Sequence, residues 1–119
     1  MLQGNAGSTD KINISFLLTD HVRRILVFAT GDNPQIFINS IQGLHLFLTS
    51  YYDNSYINAY QHLKEVFDAQ KHKNAGIINK DGSFLKNLEF QFAQAQFSHL
   101  MLLMDRRGIL PEKIAYETI

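Results

Sequence analysis

Residues 84–108 read FLKNLEFQFAQAQFSHLMLLMDRRG and give the clearest secondary-structure signal in this chain. The stretch has no β-branched residue, and its interior has no Gly or Pro, so its composition favours a helix. Near its end, residues 99–104 are apolar around most of the helix circumference. A helix with more than one apolar face needs more than one neighbour. We therefore predict a long helix over residues 83–107 that is either the centre of a bundle or the contact between two copies.

The spacing of residues within this predicted helix defines two apolar faces. The first face consists of Leu85, Leu88, Phe92, Ala95, His99 and Leu102. The second face consists of Phe90, Ala93, Phe97, Met101 and Met104. Tyrosines also concentrate between residues 51 and 60, and such amphipathic rings suit a boundary between dry and wet surroundings. The interface residues predicted from these two features are Phe90, Phe97, Met101, Met104, Tyr51 and Tyr52.

A second helix is marked by its first residues and by apolar spacing. Pro34 suits the first helical position, where a missing N–H costs nothing, and Asp32 or Asn33 can act as the cap. Apolar residues then recur every three or four positions as far as Tyr51. This pattern predicts one helix with a single buried stripe.

A third helix is predicted from capping residues at 53–55 to the basic residues 71–73, since cations suit the negative end of a helix dipole. Residues 76–82 follow and contain the turn signal Asp81-Gly82, which predicts a loop. Ser83 is the predicted cap of the long helix. A short C-terminal helix is predicted to start at Pro111.

The segment before the second helix fits two secondary structures. Residues 11–18 alternate as in a half-buried strand, yet they also have the three- and four-residue spacing of a helix. Thr19-Asp20 could instead cap a helix that starts at His21. We favour a helix, because a lone strand would leave its backbone groups unpaired. Residues 1–9 are small and polar, which predicts a flexible arm.

These elements predict an all-α fold, a four-helix bundle-like domain with a short C-terminal helix. Residues 10–119 form its single helical domain, because 119 residues are enough for one hydrophobic core. Hydrophobic residues make up 45% of the chain, which is typical of a globular protein. The chain has no Cys, so disulfides and thiolate metal sites are excluded.

Charge and hydropathy limit the expected partners. Eleven basic and eleven acidic residues give a net charge of zero, which argues against a nucleic-acid binder. Charged residues are only 18% of the chain, which indicates that another protein covers part of the surface. The apolar runs are shorter than the ~20 residues that cross a bilayer, and the N-terminus lacks a signal-peptide pattern. We expect a soluble, cytoplasmic protein that binds neither a membrane nor a small molecule.

No side-chain pattern in the sequence indicates catalysis or a cofactor. The five histidines lack metal-ligand spacing, and no Glu-x-x-His pair is available for a di-iron centre. His62-Leu63-Lys64 invites comparison with a phosphorelay histidine, but the usual pattern has a residue between His and Leu and a small residue after Lys. Here Glu65 follows Lys64 and would repel a phosphoryl group. Hydrolase and nucleotide-binding motifs are absent from the sequence. We therefore predict no enzyme activity, no catalytic residue, no metal and no cofactor.

The leading functional prediction is a non-enzymatic helical interaction module, a homo-oligomeric structural or adaptor subunit whose partner is itself or another protein. The alternative is a nucleic-acid-associated protein in which Arg23, Arg24, Arg106 and Arg107 contact phosphates. Basic pairs at helix ends are also explained by the helix dipole and by solvation. A third interpretation is a histidine-based switch at His99 or His62.

Overall fold

Five helices make up the described part of the chain, and no strand occurs among these residues. The computed structural model describes residues 6–29 and 31–110, with side chains in the first helix from Ile14 onward. The helices are α1 (Ala6–Ala29), α2 (Pro34–Tyr51), α3 (Ser55–Lys73), α4 (Ala75–Lys80) and α5 (Gly82–Arg106). The predicted all-α class is therefore confirmed, and the packing of the helices fits a bundle.

Helix α1 is continuous across residues 11–18, which confirms the helix and excludes the strand. Thr19 does not cap a new helix, because its hydroxyl donates to the carbonyl oxygen of Ser15 at 2.9 Å inside α1. The helix begins at Ala6 and so includes residues 6–9 of the predicted arm. Residues 1–5 of that arm lie outside the described residues.

The start of α2 is confirmed in detail. Asn33 is the cap, and its side-chain oxygen accepts hydrogen bonds from the backbone N–H groups of Gln35 at 3.0 Å and Ile36 at 3.3 Å. Pro34 occupies the first helical position, where its missing N–H leaves no donor unpaired. At the end of α5, Gly108 has a φ of 70°, the left-handed conformation in which glycine commonly ends a helix.

Two local predictions are wrong. Most of the predicted loop at residues 76–82 belongs to the helix α4. In the first turn of this helix, the Ile78 N–H donates to the Asn74 carbonyl oxygen at 2.9 Å. Asp81 rather than Ser83 caps α5, since the Asp81 carboxylate accepts from the backbone N–H of Ser83 at 3.0 Å and from its hydroxyl at 2.6 Å. A carboxylate is the stronger acceptor at the positive end of a helix. The predicted C-terminal helix from Pro111 lies outside the described residues.

Helices α2 and α5 lie side by side and run in the same direction. Near their beginnings, the rings of Phe37 and Phe90 are 5.3 Å apart between centroids. Just beyond their ends, Asp53 forms an ion pair with Arg107. Helix α1 packs on another side of α2, where the ring of His21 lies 5.1 Å from that of Phe47.

Helix α3 runs antiparallel to α5, and the two form a hairpin closed by α4. Phe67 and Phe92 stack across this hairpin with their ring centroids 4.8 Å apart. The hairpin projects beyond the start of α2, and the first turns of α1, which runs antiparallel to α2, project beyond its end. The molecule therefore measures 61 × 28 × 25 Å, although a helix of 25 residues spans only about 38 Å. The projecting part of the hairpin therefore lacks a third long helix against it.

The hydrophobic core lies between α1, α2, the start of α3 and the second half of α5. Burying apolar side chains away from water is the main favourable contribution to folding. Each of the following side chains has no exposed surface: Leu18, Val22, Ile25, Phe37, Ile41, Leu44, Leu48, Tyr56, Phe97, Leu100, Met101 and Met104. Helix α5 thus contributes four of these fully buried side chains, all from its second half, and Ala93 is a further core residue of this helix.

Acid should destabilise the fold through His45. This half-buried ring bonds through Nε2 to the Tyr56 carbonyl oxygen at 2.8 Å, and burial lowers the pKa of His45 below its usual value. The pKa of this histidine is therefore lower in the folded state than in the unfolded state. Its contribution to the free energy of unfolding is fully present above the unfolded-state pKa and is lost as the pH falls. We expect the free energy of unfolding in urea to decrease from about pH 7 to about pH 5. His45→Gln should weaken that dependence.

The control for this measurement is His72→Gln, because the His72 side chain is exposed at the end of α3. The same substitution there should leave the pH dependence unchanged at a fixed protein concentration. An unaltered dependence in His45→Gln would contradict the assignment to His45. The remaining slope in that variant is expected from His21, whose pKa is also lowered by burial and then by the nearby Arg24.

Candidate interaction surface

Three of the predicted interface residues are buried within the chain. Phe97, Met101 and Met104 have no exposed surface, because they face α2 and the start of α3. Phe90 is half-buried against the core beside Phe37. Side chains without exposed surface contact nothing outside the chain while it stays folded. The second apolar face of α5 therefore packs inside this bundle.

The tyrosines between residues 51 and 60 differ in how deeply they are buried. Tyr56 is fully buried, and Tyr52 is half-buried against the core. Tyr60 stacks on His45, with ring centroids 4.7 Å apart. Tyr51 is 54% exposed and packs one side of its ring on Phe47 at 4.8 Å. Of the two tyrosines predicted at the interface, Tyr51 offers the larger free surface.

The four arginines of the alternative prediction lie in two separate places. Arg24 lines a groove between α1 and α2 beside Asn39, and Arg107 pairs with Asp53 beyond the end of α2. Fourteen residues separate Asn39 from Asp53, which is roughly 20 Å along a helix. Arg24 also pairs with Asp20 at 2.8 Å. Arg23 and Arg106 are exposed next to these paired arginines.

The histidines do not converge on a metal site. Within the part of the chain that the structure describes, no three His, Asp or Glu side chains are grouped closely enough to hold an ion. His62 is exposed on α3, whereas His99 is half-buried on α5. The geometry of the described residues thus assigns no shared chemistry to them.

A groove of about 330 Å³ lies between α3 and α5 on the projecting hairpin. Stacked Phe67 and Phe92 form its floor, and the Lys71 ammonium lies 5.3 Å from the Phe67 ring centroid. The side chains that line this α3/α5 groove are Leu63, Val66, Phe67, Gln70, Leu88, Gln91, Phe92 and Ala95. None of these eight side chains is charged, so the groove favours an apolar occupant.

The exposed side of α5 continues the groove as a row that we call the α5 stripe. It consists of Leu88, Gln91, Ala95, Ser98 and Leu102, spaced by three and four residues along one side of the helix. Leu88 is half-buried, and Leu102 is 47% exposed. Leu88, Ala95 and Leu102 of the stripe belong to the first apolar face of the predicted helix, and none of the three is buried in the core.

Residues 90–104 contain no Asp, Glu, Lys or Arg. Exposed helix surfaces normally carry charges of both signs, which keep proteins apart in solution. Because only one side of α5 faces the core, this run leaves an uncharged surface toward solvent. In the sequence, this surface is marked by the absence of charged residues over four helical turns. The spacing of apolar residues alone did not identify it.

A second groove, between α1 and α2, has a more polar lining. Its side chains include Phe28 and Ile36, but also Arg24, His21 and Asn39. The Arg24 guanidinium holds Asp20 at 2.8 Å. A partner entering this groove would have to displace these charges or supply opposite ones. A partner entering the α3/α5 groove meets no charged lining residue.

The end of the molecule opposite the hairpin tip is held by an electrostatic cluster. The Asp53 carboxylate accepts hydrogen bonds from the Ser55 hydroxyl at 2.6 Å and from Arg107. The Ser55 hydroxyl, followed by Arg107, lowers the pKa of Asp53 to about 2. The Arg107 guanidinium also lies 5.1 Å from the ring centroid of Tyr56. These contacts fix the turn between α2 and α3 against the end of α5.

Comparison with family models, with curated proteins and with solved structures finds no match for this chain. Among the helices that the structure describes, none is both long enough and apolar enough to cross a membrane.

Proposed function

We propose that the protein is a non-enzymatic helical interaction module that self-associates through α3 and α5. The observation that carries this proposal is the α3/α5 groove with the uncharged α5 stripe beside it. Contiguous apolar surface on a protein marks an interaction site more often than scattered exposed residues do. The function of such a module is to hold copies of the chain together as a structural or adaptor subunit.

A second copy of the chain is the occupant that best fits this surface. Burying a charged side chain of a partner against uncharged residues would cost free energy without an ion pair in return. The α5 stripe of another copy carries no charge and avoids this cost. Two hairpins placed face to face also supply the four helices of an ordinary bundle, which the projecting hairpin lacks alone.

The nucleic-acid alternative has weaker support. Phosphate binding needs several cations on one surface, and the affinity rises with the number of phosphates that they neutralise. Arg24 and Arg107 are each engaged by a carboxylate and lie far apart. We therefore keep self-association as the proposed function.

The test is the solution mass of the unaltered chain, measured by light scattering on a sizing column over a series of dilutions. Self-association predicts twice the chain mass of 13.7 kDa at high concentration and dissociation on dilution. A mass of one chain at every concentration would overturn the proposal. Association should depend little on salt, because the centre of the surface is uncharged.

A further inference from the structure

We infer that two copies associate with their α5 helices antiparallel and with Ala95 on the two-fold axis. The inference rests on the proposed self-association and specifies how the two copies meet. It follows from three properties of the hairpin: the order of residues along the α5 stripe, the small side chain at the centre of the stripe, and the position of the charges.

The α5 stripe has nearly the same order of side chains in both directions. Leu88 and Leu102 each lie seven residues from Ala95, and the polar Gln91 and Ser98 lie between them and the centre. In an antiparallel pair centred on Ala95, Leu88 of one copy meets Leu102 of the other, about 10 Å from the axis on each side. A two-fold contact needs such a self-complementary surface, because each residue pair occurs twice.

The small side chain of Ala95 suits the central position. Helix axes approach to about 8 Å only where the side chains at the contact are small. Ala95 is exposed in the single chain and lines the α3/α5 groove. The bulkier leucines at the two ends of the stripe then fill the space that opens as the helices diverge.

The charges distinguish the antiparallel arrangement from the parallel one. Residues 69–88 form the tip of the hairpin and carry four lysines and one aspartate, a net charge of +3. This tip is bordered by Asp68, which pairs with Lys64, and by Glu89. Asp81 is occupied as the cap of α5. A parallel pair would place two such tips side by side, and like charges facing each other are unfavourable. An antiparallel pair separates them by the length of the hairpin.

The antiparallel arrangement also brings opposite charges to the same level. Because Phe67 stacks on Phe92, Lys73 on α3 is level with residue 86 of α5. In a pair centred on Ala95, that level corresponds to residue 104 of the other copy, next to its Asp105. Lys73 and Asp105 are both exposed in the single chain. In this arrangement Lys73 gains one exposed carboxylate, Asp105, at its level, next to Arg106 and to Arg107, which is paired with Asp53.

Single-cysteine cross-linking tests this geometry, because the chain has no native cysteine. A disulfide forms only where two Cα atoms come within about 7 Å. Ala95→Cys should cross-link with itself under oxidation. Leu88→Cys and Leu102→Cys should each stay uncross-linked alone and should cross-link with one another when mixed and allowed to exchange. Gln61→Cys, on the exposed side of α3, controls for random collisions.

The possible outcomes separate the geometry of the pair from self-association itself. Cross-linking of Ala95→Cys and of the mixture, each well above the Gln61→Cys background, supports the antiparallel pair. Cross-linking of Leu88→Cys alone would overturn it in favour of a parallel pair. A dimeric mass with no cross-link at any of these positions would overturn the α5 contact but leave self-association standing. A monomeric mass would overturn both the antiparallel pair and self-association.

Discussion

Ala95→Glu is expected to convert the dimer into a folded monomer. Ala95 lies on the proposed axis, so the substitution places two carboxylates against each other where both would lose water. Like charges at an interface cost several kcal/mol, which corresponds to about 100-fold or more in the dissociation constant. The measurement is the mass by light scattering, with circular dichroism to confirm that the helices remain.

The matched control is Ala75→Glu, which makes the same substitution at an exposed alanine in α4. Glutamate in the first turn of a helix is compatible with the helix dipole, so the fold should tolerate it. Ala75→Glu should keep the mass of the unaltered chain. If Ala95→Glu remained a dimer, self-association would have to use another surface.

Phe97→Glu is expected to prevent folding altogether. Phe97 has no exposed surface and belongs to the core that α5 shares with α2. Truncating a buried Phe to Ala costs about 3–5 kcal/mol, and a carboxylate without a partner adds a further penalty. Domains of this kind are stable by only about 5–15 kcal/mol. Loss of the helical signal in circular dichroism would be the expected result.

Phe16→Glu provides the control for that loss, because Phe16 on α1 is 72% exposed. The same exchange of phenylalanine for glutamate should there leave the helical signal and the urea midpoint close to those of the unaltered chain. A folded Phe97→Glu variant would contradict the position of this side chain in the core. Phe97→Leu, which keeps an apolar side chain, should fold with reduced stability.

The helices could be predicted from the sequence where local chemistry specifies them. Asn33 and Pro34 begin α2 as expected, because both act through bonds within their own turn. The capping of α5 was harder, since Asp81 and Ser83 are both good caps and only the geometry decides between them. Helix α4 was missed because Gly76 and the Asp81-Gly82 pair resemble a loop, although a helix that starts after Asn74 continues through Gly76 as far as Lys80.

The faces of α5 show the limit of sequence reasoning more clearly. Spacing identified two apolar faces but could not assign one to the core and the other to the surface, because that depends on where α2 lies. The structure buries the face of Phe97 and Met101 and leaves the face of Ala95 and Leu102 partly open. The predicted interface residues on α5 were therefore drawn from the buried face. For the same reason, the sequence could not show which tyrosines are buried and which are exposed. In the structure Tyr56 is buried and Tyr51 is exposed.

The offset between the hairpin and α2 divides the molecule into parts of unequal local stability. All buried residues of α5 lie between Ala93 and Met104, and α4 has none. Parts of a protein with few buried contacts open locally at a lower free energy than global unfolding requires. The hairpin tip is therefore the part that can fray and re-form while the core remains closed. Its four lysines lie where the backbone changes conformation at a lower energetic cost than in the core.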